Sequence, residues 1–116
     1  MDRRTPSVSD VVRRAVEICD PDDADQTLGR LEEQFEDDDE PVTAVENLEE
    51  RLAIALEGAD SEGDNPAVAV ASAVVLHLAA NPRELDRDPE HIIRQAVEAQ
   101  WHRDVPDFVE EWLAGA

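Results

Sequence analysis

One run of hydrophobic positions in this chain has no polar partner face. Pro66 to Ala80, PAVAVASAVVLHLAA, carries no charged residue, in a chain that is 34% charged. Asn65-Pro66 opens it with an N-cap residue before a proline at the first helical position, and Asn81-Pro82 closes it. Its large residues, Val68, Val70, Val74, Val75, Leu76 and Leu78, point to nearly every side of a helix. A helix that is apolar all round must be covered on most sides. The run at 66–80 therefore predicts a buried central helix, with Val74 and Leu76 inside. Its alanines at four-residue spacing, Ala67/Ala71 and Ala69/Ala73, allow neighbours to approach closely.

The remaining hydrophobic positions recur at helical spacing on one face only. Val8, Val11, Val12, Ala15, Ile18 and Cys19 predict a first helix from Ser7 or Ser9 to Cys19, with Ser9 a good N-cap. Ala24, Leu28, Leu31 and Phe35 predict a second over about Asp22 to Glu36, where Gly29 marks a close helix crossing. Val45, Leu48, Leu52, Ala55 and Leu56 predict a third from Pro41 to Glu57, ended by Gly58. The short connection pairs the second and third as a hairpin. A single turn is expected at Arg83-Glu84-Leu85, then a helix from Pro89 to about His102. A short last helix starts at Pro106, with Phe108, Val109, Trp112 and Leu113 inward. No run reads as a strand. The expected fold is a single all-α domain over residues 1–116, of five or six helices around the central one, with residues 1–6 a disordered lead-in.

Charge changes the picture of habitat more than of fold. The chain has 30 acids against 10 bases, a net charge of -20, and all its bases are arginine. The first 19 residues hold four arginines against three acids, net +1; residues 20–65 hold 18 acids against two, net -16; the remainder holds nine against four, net -5. Acid excess without lysine, over small core side chains, resembles the composition of haloarchaeal cytosolic proteins. Molar salt there screens self-repulsion beyond about 3 Å, and diffuse salt cations are the expected company of the acidic runs. In dilute buffer the same charge destabilises the compact state.

Few residues invite chemistry. His91, Glu98 and His102 fall within roughly 40° of one another on the fifth helix. Imidazoles and a carboxylate are zinc or iron ligands, but His91 lies roughly 10 Å from Glu98 along the axis. Only Glu98 and His102 are placed to share a metal, on a face that otherwise reads as solvated. His77 stands alone near the end of the apolar helix. Cys19, the single cysteine, reads as a small core hydrophobe and excludes an internal disulfide. Asp37 to Glu40 and Asp60 to Asp64 invite a calcium reading, but the second lacks the glycine and glutamate of a calcium loop. No cofactor is implied, and no nucleophile or phosphate-loop motif is present.

The central run is too short to span a bilayer, and MDRRTPSVSD has no apolar signal region. The expectation is a cytoplasmic protein without membrane contact. Three functions remain: a small non-enzymatic interaction module or subunit of a larger assembly; a metal-binding protein or metal-dependent enzyme using Glu98 and His102; and a nucleic-acid regulator using Arg3, Arg4, Arg13 and Arg14. The first leads, because catalytic groups are scarce. Trp101, Phe108 and Trp112, three of the four aromatics, are expected either to cap the monomer core or to leave a tryptophan exposed as the contact with a protein partner or a second copy.

Overall fold

The computed structural model describes residues 6–20, 26–42, 47–59 and 66–115. Among them six α-helices follow one another: α1 Val8–Cys19, α2 Gln26–Gln34, α3 Leu48–Ala59, α4 Pro66–Ala80, α5 Pro89–Trp101 and α6 Asp107–Gly115. A 3₁₀ turn, Pro82–Asp86, joins α4 to α5. No strand forms among the described residues; the β feature there is an isolated antiparallel bridge between Ser7 and Pro41. The fold is all-α.

The uncharged run forms α4, and α4 touches α1, α2, α3, α5, α6 and the 3₁₀ turn. Val70, Ala71, Val74, Val75 and Leu78 are fully buried along it. Around it one core gathers Val8, Val11, Val12 and Ala15 from α1, Leu28 and Leu31 from α2, and Leu52 from α3. Ile92 and Ala96 of α5 and Val109 of α6 complete the shell. Each buried Val, Leu or Ile contributes roughly 1.5–3 kcal/mol by leaving water. Leu76 departs from expectation. It is only partly buried, packed against the core from outside.

Four local expectations are corrected. The N-cap of α1 is Ser7: its side chain accepts from the Asp10 backbone N, and Asp10 accepts from the Ser7 N, both at 3.1 Å. Ser9 lies inside the helix, buried, its hydroxyl donating to the Glu36 carbonyl at 3.3 Å. The helix expected from Pro41 to Glu57 is not continuous: Pro41 sits in the isolated bridge to Ser7, Asn47 is non-helical and α3 starts at Leu48. Pro41 instead sits in the segment that satisfies the start of α1. Val8 N donates to the Glu40 carbonyl at 2.9 Å and Ser9 N to that of Asp38 at 3.0 Å, filling donors every helix start leaves open. Val42 N in turn donates to the Pro6 carbonyl at 2.9 Å.

The other two corrections concern glycines. A Cβ added at Gly29 meets nothing within 4 Å, so no close crossing explains that residue. Gly58 does not end α3, which runs to Ala59. Pro66 and Pro89 are first helical residues as expected, whereas Pro106 stands one place outside α6 and accepts from Val109 N and Glu110 N, both at 3.0 Å. Asn65, Ala24 and Val45, used to place helix starts and faces, lie outside the described residues, as do Met1 to Thr5.

Candidate functional site

The chemistry-bearing side chains gather in two places, both at the junctions of α5. The first is the 3₁₀ turn. Asn81 N donates to the His77 carbonyl at 2.9 Å and ends α4 there, and Pro82 redirects the chain so that Glu84 faces back onto it. Glu84 Oε1 lies 3.7 Å from His77 Nε2 and 3.6 Å from His91 Nε2, and Oε2 lies 3.2 Å from Arg87 Nε. The His77 side chain is 8% exposed. Its Nε2 is buried without a hydrogen-bond partner. The Asn81 side-chain amide donates to the His77 carbonyl at 3.1 Å and faces His77 Nδ1 at 3.5 Å.

Arg14 of α1 clamps the same turn from the other side. Its Nε donates to the Leu85 carbonyl at 3.1 Å and its Nη2 to that of Arg87 at 3.2 Å, while Nη1 pairs with Glu17 at 2.9 Å. Arg13, its neighbour, is exposed and lines a shallow cleft with Ser9, Glu32, Glu33 and Glu36. The two arginines thus face different elements. Arg3 and Arg4 lie outside the described residues.

The second place is the α5–α6 edge. Trp101, Phe108, Trp112 and Leu113 pack against the core, and each is half-buried. Val109, between them in sequence, is fully buried. Beside this edge an open cleft of about 450 Å³ is lined by Arg94, Val97, Glu98, His102 and Arg103. Glu98 and His102, the expected metal pair, therefore do share a cavity, with two guanidiniums for company. His102 caps α5 with φ of 55°, a left-handed backbone uncommon outside glycine. His91 does not join them; it turns to Glu84. Among the described residues no group of three or more His, Cys, Asp or Glu side chains is gathered to hold a metal ion as it stands.

Cys19 is buried, and its thiol is pushed up to about 12, first by burial and then by the neighbouring Asp20 carboxylate. It has the character of a packing residue rather than a nucleophile. The acidic turn is partly neutralised from within the fold: Arg51 of α3 pairs with Asp38 and, at 3.4 Å, with Glu40. Asp60 to Asp64 lie outside the described residues. Among the described residues no helix is long and apolar enough to cross a membrane.

Sequence reasoning found the aromatics and the fifth helix but missed Glu84. His77, Glu84 and His91 recur at an interval of seven, yet a turn interrupts the helix between them, so periodicity carried no signal. No protein-family model, no curated protein and no solved structure matches the chain.

Proposed function

We propose that this chain is a small non-enzymatic interaction module, or a subunit of a larger assembly, that docks a protein partner or a second copy through its α5–α6 edge. The observation that carries the reading is the incomplete burial of Trp101, Phe108 and Trp112, the large aromatic rings of α5 and α6, where they pack against the core. Each ring brings some 150–250 Å² of apolar surface, and tryptophan is enriched among the residues that dominate binding energy. The titratable groups elsewhere support the same reading, because the best-organised ones tie elements together: Arg14 to the 3₁₀ turn, Arg51 to the acidic turn. Acidic composition supports work in a salt-rich cytosol, where a short-range apolar contact survives screening that would weaken charge-based recognition.

Iodide quenching of tryptophan fluorescence, read beside light scattering in molar KCl, tests the edge. An accessible tryptophan in the monomer, protected on assembly, supports docking there. Two fully protected tryptophans in a stable monomer make the aromatics a core cap and remove the reading.

A further inference from the structure

Three consecutive elements meet at one carboxylate: α4 through His77, the 3₁₀ turn through Glu84, and α5 through His91. Both imidazoles present the same nitrogen, Nε2, to the same oxygen, Oε1, at 3.7 and 3.6 Å. These separations are too long for hydrogen bonds. They are close to those of neighbouring ligand atoms around a tetrahedral ion, where bonds of about 2.0–2.1 Å set the atoms roughly 3.4 Å apart. The second, independent sign is the orphaned Nε2 of His77, buried, unpartnered and aimed into the cluster. Buried polar atoms of this kind are rare, and an ion is one of the things that explains them.

We propose that His77, Glu84 and His91 are the protein ligands of a latent divalent transition-metal site, with Zn²⁺ the ion that best suits two imidazoles and a carboxylate. As they stand the three side chains do not yet gather round one point. Two of the three ligand separations are in place, so the adjustment left is between the two rings. His91 supplies it by turning inward, for its side chain is 43% exposed against 8% for His77. Arg87 on Oε2 orients the carboxylate and leaves Oε1 free, the outer-shell role that ligating carboxylates commonly need. Three protein ligands leave one position for water or a further donor. The site is separate from the α5–α6 edge and does not depend on it.

The experiment titrates the chelator-treated full chain with Co²⁺ alone, follows the visible absorption, and then adds Zn²⁺. The expected result is the intense band of tetrahedral cobalt, saturating at a single equivalent, lost on zinc addition, with a higher melting temperature for the metal-loaded protein. His91→Ala, on a side chain the core does not use, abolishes the band while the apo protein keeps its circular dichroism; Glu84→Gln does the same. Glu98→Gln with His102→Ala leaves the band intact. Absence of the band overturns the proposal. So does a band that survives His91→Ala, or only the weak absorption of octahedral cobalt held diffusely by surface carboxylates.

Discussion

Glu84 Oε1 stands 3.7 Å from the buried Nε2 of His77, across the corner where α4 gives way to the 3₁₀ turn. The contact is tertiary although both residues are close in sequence, because Pro82 breaks the helix and folds the turn back over its end. Arg14 grips the same turn from α1 through two backbone carbonyls. The corner that joins the central helix to α5 is thus tied to α1, α4 and α5.

The central position of α4 sets an order among core substitutions. Leu78 is fully buried and Leu76 is not. Leu78→Ala should cost about 2–5 kcal/mol, the range for a buried leucine, and Leu76→Ala clearly less. Equilibrium denaturant unfolding of the two variants in molar KCl checks this. Equal losses, or a larger loss at Leu76, contradict the central-helix packing.

Gly29 offers a stabilising change. It lies inside α2 with open space where a Cβ would be. Gly29→Ala should raise stability by up to about 1 kcal/mol through helix propensity alone. A lower melting temperature for the variant would mean that the glycine serves a contact the packing does not contain.

Cys19 predicts a pH dependence at the alkaline end. Its folded-state thiol titrates near 12 against 9.0 for the free group. The folded value is the higher, so the unfolded chain loses its proton first. The contribution is fully present below pH 9.0 and disappears as pH rises toward 12. A disulfide-exchange reagent at neutral pH should label Cys19 no faster than the protein unfolds, and Cys19→Ala should flatten the alkaline loss. Rapid labelling of the native protein contradicts the burial argument.

Salt is the lever for the acidic lobe. Residues 20–65 carry 18 acids against two arginines, and Arg51 already answers Asp38 and Glu40. The melting temperature should climb as KCl rises from dilute buffer to the molar range, as self-repulsion is screened. A flat curve removes charge repulsion as a limit on folding.

The legible parts of the fold were those where one physical cause dominates. The 66–80 helix was readable because nothing but a covered helix suits an uncharged run closed by prolines, and Pro66–Ala80 is what forms. Asp88-Pro89 marked the start of α5 through proline at the first helical position. Pro41 misled because proline at a helix start and proline in an extended segment look alike in sequence; its pairing with Ser7 is long-range. The cap of α1 was decidable, since Ser7 has Asp10 three places on, the reciprocal pair of a capping box. Ser9 has only a neighbouring acid. Among candidate site residues, Trp101, Phe108 and Trp112 were visible from their clustering. Glu84 was not, because only the turned-back chain brings it to His77 and His91.

The account rests on the α5–α6 edge as the surface that meets a protein. The most direct test replaces Trp112 with a photo-crosslinking phenylalanine analogue and irradiates the protein in native extract at high salt. A control carries the analogue at exposed Asp39 of the acidic turn. The account predicts a discrete adduct from position 112, with another protein or with a second copy of the chain, that position 39 does not give. Equal background labelling at both positions, with the position-112 variant folded, would contradict it.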